Sequence, residues 1–270
     1  MGTLDGRRVL VTRGKGQASQ LAVLLAGRGA TVLEVPAIEI VAPPHPEPLE
    51  EALSELGRYD WIVFTSANAV TAVLGGLVVQ GLPPRLASPA GGTTGRRRPS
   101  IASVGRATTT ALRSSFPEDR VALEPEVQFN AAGLVEAFGR RGIAGARVLV
   151  PASARAREEL AEGLRGLEAQ VDVVAAYSTV EPEGLAEAVG QALDSGFDLA
   201  LFASPSAVES FAHAARGREV GLPVAVIGPT TEAAARSARL DIREVARPST
   251  VEGLVAAAER ALGPPGIPRS

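Results

Sequence analysis

The sequence predicts an α/β fold made of two similar lobes, each built on a parallel sheet. Short apolar strands alternate with amphipathic helices in both halves of the chain, an order typical of parallel strands joined by right-handed crossovers. The third strand of each half, at residues 61–64 and 199–202, is apolar at every position. Strands covered by helices on both faces have this composition, which favours a parallel sheet.

The second half of the chain repeats the first half in four blocks that keep their order. Residues 6–11 return as 145–150, 59–66 as 197–204, 101–105 as 224–228, and 133–135 as 253–255. Four blocks in the same order indicate internal duplication rather than chance. Two similar lobes that face each other leave a cleft, and a cleft between lobes is a common ligand site. We therefore expect the active site in the cleft between the lobes.

Each half of the sequence is expected to open with a strand, a helix and a second strand. In the two helices, Leu21 and Leu25 match Leu160 and Leu164, and the spacing of four places each pair on one helix face. The predicted strands around these helices are residues 9–11 and 31–35 in the first half, and 148–150 and 171–174 in the second.

The first half carries 15 additional residues between its third and fourth blocks, all within residues 83–100. This stretch contains Pro-Pro, Gly-Gly and Arg96, Arg97 and Arg98, and it predicts a flexible surface insertion. The arginines could attract anions, although a solvated loop is the favoured interpretation. Near the C-terminus, glycine and proline at 263–266 should end the last helix and leave 265–270 as a loose tail.

The composition narrows the class of protein. A chain of 270 residues exceeds the usual single domain, and 46% hydrophobic residues suffice for two cores. The net charge of −3 gives no sign of a nucleic-acid or membrane partner. Cysteine is absent and histidine occurs twice, which excludes disulfides and thiolate sites and argues against histidine-based metal catalysis. Because neither a signal-peptide core nor an apolar run near ~20 residues is present, we expect a cytoplasmic protein.

Small polar residues and glycines follow the strands at their carboxyl ends. Ligands of open α/β sheets bind there, where helix N-termini present their N–H groups. Each hydroxyl could serve only to cap a helix, but the recurrence in both halves suits a ligand that bears several carboxylates. The candidate binding residues are Thr12, Arg13, Thr65, Ser66, Ala67, Asn68, Gly105, Ser204, Pro205, Ser206, Gly228, Pro229, Thr230 and Thr231.

A competing pattern lies at residues 14–19, where two glycines between a strand and a helix resemble the start of a dinucleotide-binding turn. Glu34 follows at the end of the second strand, where an acid could bind a ribose. The third position of the turn is Ser19 rather than glycine or alanine, and the matching turn at 151–155 contains no glycine. Nucleotide binding is therefore the weaker interpretation.

Tyr177 is the candidate catalytic residue. The chain has two tyrosines, and the repeat pairs Tyr59 with Phe197 but pairs Tyr177 with Ile38. Tyr177 follows the second strand of its half, where the chain would leave one lobe. A phenol at such a crossing can donate a proton to a leaving group. It could equally be an amphipathic residue whose ring packs on the linker.

Taken together, these residues resemble the uroporphyrinogen-III synthase family, and the resemblance extends from about Arg8 to Leu262. The most specific parts are Phe-Thr-Ser-Ala-Asn at 64–68, Ser-Pro-Ser at 204–206 and Ile-Gly-Pro-Thr-Thr at 227–231. The further matching blocks are residues 9–13, 36–40, 59–70, 177–179 and 202–208.

The resemblance implies two α/β lobes that differ from the sequence halves. Residues 1–37 with 181–264 would form lobe one, and residues 42–175 would form lobe two. Two crossing linkers, 38–41 and 176–180, would join them. A monomer is expected, with a small-molecule substrate and with no nucleic-acid or membrane partner.

The resemblance also implies the reaction, which is closure of the linear tetrapyrrole hydroxymethylbilane with inversion of its ring D and loss of water. No cofactor and no metal are expected, and Tyr177 resembles the family's tyrosine acid. Gly14 replaces a proline that is frequent in the family, and Ala203 replaces a threonine. The alternative is a non-catalytic, tetrapyrrole-binding regulatory module of the same fold.

Overall fold

The computed structural model describes residues 2–13, 18–86, 98–154 and 158–263, with backbone only at 18 and 19. The chain divides into two compact units. Unit 1 consists of Met1–Glu39 and Thr179–Ser270, and unit 2 consists of Ile40–Ser178. Within the described residues, no helix is both long and apolar enough to cross a membrane.

The strands and helices alternate along almost the whole described chain. The first elements are β1 (Arg8–Val11), α1 (Ala18–Ala26) and β2 (Thr31–Glu34). The middle elements are β3 (Glu39–Val41), α2 (Glu47–Ser54), β4 (Trp61–Phe64), α3 (Ala67–Val79), β5 (Ser100–Ser103), α4 (Arg106–Ser115), β6 (Val121–Leu123), α5 (Ala131–Arg141), β7 (Arg147–Ser153), α6 (Glu159–Gly166) and β8 (Gln170–Val180). The last are α7 (Leu185–Ser195), β9 (Leu199–Phe202), α8 (Pro205–Ala215), β10 (Pro223–Ile227), α9 (Gly228–Ser237), β11 (Asp241–Ala246) and α10 (Val251–Leu262).

Each unit contains one sheet. The sheet of unit 1 has the order β2-β1-β9-β10-β11, and all four strand pairs are parallel. The sheet of unit 2 has the order β3-β8-β7-β4-β5-β6, and the four pairs from β8 to β6 are parallel. The predicted α/β fold with parallel sheets is thus confirmed. Apart from β3, the two orders correspond strand for strand to the sequence repeat.

Helices cover both faces of each sheet, so the central strands are buried. Every residue of β4 and β9 is buried. The predicted apolar helix faces are confirmed, because Leu21 and Leu25 are fully buried on α1, and Leu160 and Leu164 are buried on α6. Each such side chain contributes roughly 1.5–3 kcal/mol to folding, so these faces hold the helices against the sheets.

An aspartate before the central strand fixes the neighbouring strand in each unit. In unit 1, the Arg8 amide donates to Asp198 Oδ2 at 2.7 Å, and the Asp198 amide donates to the Arg8 carbonyl at 2.8 Å. In unit 2, the Arg147 amide donates to Asp60 Oδ2 at 2.9 Å, and the Asp60 amide donates to the Arg147 carbonyl at 2.8 Å. The same backbone clamp therefore sets the register of β1 with β9 and of β7 with β4.

A glycine in the first turn of α5 and of α10 permits a close approach of the preceding loop. A Cβ at Gly133 or at Gly253 would lie 2.0 Å from a backbone carbonyl oxygen. Asn130 and Thr250 cap the same helices, each accepting the amide of that glycine, at 2.9 and 3.0 Å. Only glycine fits in this turn, which explains why the repeat retains it.

Two segments predicted as linkers contain strand that the sequence did not predict. The segments 38–41 and 176–180, predicted as linkers, are mostly strand, since β3 begins at Glu39 and β8 continues to Val180. The alternating burial of Val174 and Ala176 keeps the far end of β8 on the core, which the apolar run at 171–174 did not indicate. The chain still passes between the two units within these segments, after Glu39 and after Ser178.

The predicted flexible insertion 83–100 is too wide. Leu86 is fully buried in a core cluster of unit 2, and Ser100 is the first residue of β5. Burial of an apolar side chain anchors the start of this segment, and strand pairing anchors its end. Residues 87–97, which include Arg96 and Arg97, lie outside the described residues. So do the predicted tail 265–270 and residues 14–17 of the nucleotide-type turn.

Candidate active site

The site in unit 2 begins at Ser66, directly beyond the carboxyl end of β4. Its extended backbone lets the side chain cap α3, with Oγ accepting the Ala69 amide at 3.1 Å. Thr65, Ala67 and Asn68 adjoin it in the same turn, and all three are half-buried. This turn therefore presents hydroxyl and amide groups at the edge where the strands end.

Tyr177 lies on β8, two strands away from β4, and contacts Ser66 directly. Its hydroxyl oxygen lies 3.2 Å from Ser66 Oγ. Tyr177 pairs with Ser153 of β7, and the register of β7 with β4 would place Ser153 level with Ser66. The half-buried ring packs against a core cluster of unit 2. The fold thus brings the predicted catalytic residue and a predicted binding residue together.

The contact between Ser66 and Tyr177 determines what the phenol can do. Ser66 Oγ already accepts the Ala69 amide, and its own proton is available for the phenolic oxygen. In that arrangement the phenolic proton can be donated to a ligand. Either hydroxyl can be the donor, and in the other arrangement the phenol donates to Ser66 Oγ. Ser66 therefore positions Tyr177 whichever hydroxyl donates.

Gly105 lies at the same edge of unit 2, after β5. It is buried, precedes α4, and its carbonyl accepts the Thr109 amide at 3.0 Å. The register of β4 with β5 pairs Phe64 with Ser103, so Gly105 and Ser66 follow their strands at the same level. Its contribution to a site is confined to its backbone.

In unit 1, the predicted residues after β9 form the counterpart of the Ser66 turn. Ser204 caps α8 and accepts the Ala207 amide at 3.2 Å. Its Oγ lies 3.2 Å from Ser206 Oγ, and Pro205 occupies the first helical turn. Ser204 and Ser206 are therefore brought together, so that Ser204 contacts a serine, whereas its counterpart Ser66 contacts a tyrosine.

The two predicted residues after β1 differ in their surroundings. Thr12 is fully buried, and its hydroxyl donates to the Leu201 carbonyl at 2.8 Å, which ties β1 to β9. This hydroxyl serves the fold, so the structure gives no support to Thr12 as a ligand donor. Arg13 is half-buried, and its burial lowers the pKa of the guanidinium. The group stays charged because its usual pKa lies far above neutral pH.

The predicted residues after β10 open α9. Gly228 has a φ of 76°, which favours glycine, and a Cβ there would lie 2.9 Å from Ser249 Oγ. Pro229 and Thr230 are exposed, whereas Thr231 is 1% exposed. Of the two threonines, Thr230 alone presents its side chain at the surface.

The sequence-based site omitted Ser153, which the strand register places beside Tyr177. Its position after the apolar run of β7 was the available signal. Within the described residues, no group of three or more histidines or carboxylates is arranged to hold a metal ion.

Comparison with known proteins identifies a family. The model of "Uroporphyrinogen-III synthase HemD" matches residues 19–256. A uroporphyrinogen-III synthase of Synechococcus elongatus is 31% identical, with 95% of this chain and 96% of that protein covered. A putative uroporphyrinogen-III synthase of Methanothermobacter thermautotrophicus is 29% identical, with coverages of 82% and 85%.

Two solved structures share the fold. A uroporphyrinogen III synthase of Thermus thermophilus, a mutant form, superposes with a TM-score of 0.60 at 16% identity, over 95% of this chain and 99% of that chain. The uroporphyrinogen-III synthetase of Helicobacter pylori gives a TM-score of 0.52 at 15% identity, over 93% and 98%. With a family model over most of its length and a relative at 31% identity, the chain belongs to the uroporphyrinogen-III synthase family.

Proposed function

We propose that this chain closes hydroxymethylbilane to uroporphyrinogen III with inversion of ring D. Its family and its named relatives make it a uroporphyrinogen-III synthase, a cyclising hydro-lyase of tetrapyrrole biosynthesis. The observation that carries the mechanism is the 3.2 Å contact between Tyr177 and Ser66 at the carboxyl edge of unit 2.

The first step needs an acid, because hydroxide is a poor leaving group. Tyr177 donates its proton to the hydroxymethyl oxygen, which leaves as water, and an azafulvene remains. A positioned general acid contributes roughly a factor of 10² to 10⁴. Ser66 holds the phenolic oxygen, and the proton that the substrate releases after the rearrangement restores the phenol.

The later steps depend on orientation. The substituted carbon of ring D attacks the azafulvene carbon to give a spiro intermediate, and rearrangement then closes the macrocycle. Without guidance the unsubstituted carbon of ring D would close the ring instead. The protein must hold the flexible chain with ring D turned, a contribution of proximity and orientation.

Eight carboxylates on the substrate require many donors. The exposed or half-buried side-chain candidates are Thr65, Asn68, Ser204, Ser206, Thr230 and the cation Arg13. The backbone N–H groups of Ala67, Gly105 and Gly228 are further candidates. Pro205 and Pro229 have no N–H and would contribute only as the residues that open α8 and α9. We propose that donors of both units serve one substrate molecule in the cleft predicted between the lobes, and that no cofactor is needed.

The organisation of the chain forms part of the same proposal. Three correspondences between the units support an origin by internal duplication. Five strands have matching orders, an aspartate clamp recurs in both sheets, and Gly133 matches Gly253. The lobes 1–37 with 181–264 and 42–175, joined near 38–41 and 176–180, are proposed on the same grounds. A cytoplasmic monomer is proposed from the composition and charge.

The test is the isomer formed from hydroxymethylbilane. Purified protein is mixed with this substrate, the products are oxidised to porphyrins, and the type I and type III isomers are separated by chromatography. The proposal predicts type III product, whereas heat-denatured protein gives type I by spontaneous closure. Type I product alone at saturating protein would instead favour the non-catalytic, tetrapyrrole-binding alternative.

A further inference from the structure

Phe129 is an exposed aromatic residue beside the site of unit 2. Its side chain is 46% exposed, while five of the seven phenylalanines are at most 1% exposed, namely Phe64, Phe116, Phe138, Phe202 and Phe211. Exposure of a large apolar side chain forgoes the stabilisation that burial provides, but a single exposed apolar residue is common on protein surfaces. The neighbours of the Phe129 ring therefore decide what it can bind.

The fold places Phe129 at the carboxyl edge of the sheet. Its side chain lies against Gly105, where an added Cβ would be 3.1 Å from the Phe129 Cβ. Gly105 follows β5 at the level at which Ser66 follows β4. Phe129 is thus on the same edge of unit 2 as the Ser66–Tyr177 pair.

A cation accompanies the ring. The Arg106 guanidinium lies 5.5 Å from the Phe129 ring centroid, at the start of α4. Arg106 is exposed, and among the described residues it has no carboxylate in ion-pair range. A guanidinium stacked on a ring keeps its in-plane N–H groups for an anion. The pair thus combines an aromatic surface with an anion-binding fork.

The corresponding positions of unit 1 lack both features. There the glycine after β10 is Gly228, and the side chain against it is Ser249. The residue that follows Gly228 is Pro229, where unit 2 has Arg106. The aromatic–cation pair is therefore not part of the repeated framework, and its presence in unit 2 alone needs a reason other than folding.

We propose that Phe129 and Arg106 form a subsite for one carboxylate-bearing pyrrole ring of the substrate. The pyrrole packs on the exposed part of the Phe129 ring, and Arg106 binds a side-chain carboxylate of the same pyrrole. Offset or edge contacts between aromatic rings and charge-assisted hydrogen bonds both favour this match. The inference rests on the proposed function, because it takes the substrate from it.

The experiment compares steady-state constants for hydroxymethylbilane in Phe129→Ser and Arg106→Gln. The serine copies the residue of unit 1, and Val127→Ser is the control, since Val127 is an exposed apolar residue of the same loop. We expect KM to rise about tenfold in each variant, with kcat within about twofold, since the subsite binds ground state and transition state alike. Melting temperatures and the KM of Val127→Ser should match the wild type.

Two further readouts separate a binding role from a structural one. Arg106→Lys should recover part of the lost affinity, and added salt should raise the wild-type KM more steeply than that of Arg106→Gln. The inference is overturned if KM stays within about twofold of the wild type in Phe129→Ser and Arg106→Gln, or rises equally in Val127→Ser. An active wild type with unaffected variants removes the subsite alone, whereas a wild type that forms no type III product removes the proposed function and the subsite with it.

Discussion

Units 1 and 2 share a framework but differ at the edge where the strands end. Five strands follow corresponding orders in the two sheets, and in both sheets an aspartate clamp fixes the register of one central pair. At the edge, Ser66 contacts the hydroxyl of Tyr177, while its counterpart Ser204 contacts Ser206. The position that corresponds to Tyr177 is Ile38, which packs against a core cluster of unit 1.

The comparison separates residues that build the fold from residues that act on a ligand. Positions that serve the backbone, such as Gly133 and Gly253, are the same in both units because the same close approach recurs. Positions that differ, such as Tyr177 and Phe129, lie at one edge of unit 2. A substrate whose ring D is treated differently from the other three needs such a departure from symmetry.

The largest expected effect tests the shared framework. Gly133→Ala and Gly253→Ala should each lower the free energy of unfolding by about 3 kcal/mol, because the new methyl group overlaps a backbone carbonyl oxygen that cannot easily move. Urea denaturation followed by circular dichroism measures both losses.

Gly139→Ala, in the same helix as Gly133, is the matched control. A Cβ there would meet only Leu167 Cδ2 at 3.7 Å, so alanine should stabilise the helix by up to about 1 kcal/mol. A large loss in one unit with none in the other would break the correspondence between Gly133 and Gly253.

The next largest effect concerns a position at which the two units differ. Unit 2 has Tyr59 there, and unit 1 has Phe197. Burial, followed by a hydrogen bond to Asp172, raises the pKa of Tyr59 to about 12. The unfolded chain releases this proton near pH 10, so the folded state binds more protons between pH 10 and 12. The stabilising contribution is therefore complete below about pH 10 and is lost as the pH rises towards 12.

Tyr59→Phe gives unit 2 the residue of unit 1 and removes this titration. After allowance for solvent screening at the hydroxyl, the wild type should lose about 1–2 kcal/mol more than Tyr59→Phe between pH 9 and 12. Urea denaturation across this pH range provides the comparison. Parallel pH curves for the two proteins would show that the phenol ionises equally in the folded and unfolded states.

A smaller effect on stability distinguishes the two serine caps. Ser66→Ala and Ser204→Ala should each cost about 1 kcal/mol, because each removes the cap of a helix. Ser66→Ala should also lower kcat by about three- to tenfold, since Tyr177 loses its partner. Ser204→Ala should raise KM and leave kcat unchanged.

Ser66→Thr retains a hydroxyl and a cap, and it should recover most of the lost kcat. Thermal denaturation and steady-state kinetics on the same preparations separate the two effects. Equal kcat in Ser66→Ala and Ser204→Ala would mean that the contact with Tyr177 has no role in turnover.

Much of the fold could be predicted because its signals are local. Apolar runs gave β4 and β9, the spacing of Leu21 and Leu25 gave the buried face of α1, and the repeat indicated which strands correspond. β3 was missed because three residues carry too little pattern. The far end of β8 was missed because its strand depends on pairing with β7 rather than on its own composition.

The site could be predicted as a set of residues but not as a set of contacts. Ser66 and Tyr177 were both identified, yet their contact depends on β7 lying between β8 and β4, which the local pattern does not specify. Thr12 shows the reverse case, since a hydroxyl at a strand end turned out to be buried against Leu201, a residue far along the chain. Phe129 had no signal, because an aromatic residue in a loop belongs to no periodic pattern.

The most direct test of the account is the turnover of Tyr177→Phe. This change removes the phenolic proton and keeps the ring, so folding should be unaffected. We expect kcat for type III product to fall by about ten- to a hundredfold, with the melting temperature unchanged and with Tyr59→Phe as active as the wild type. Unchanged kcat in Tyr177→Phe would contradict the claim that the chemistry depends on the residue by which unit 2 departs from unit 1.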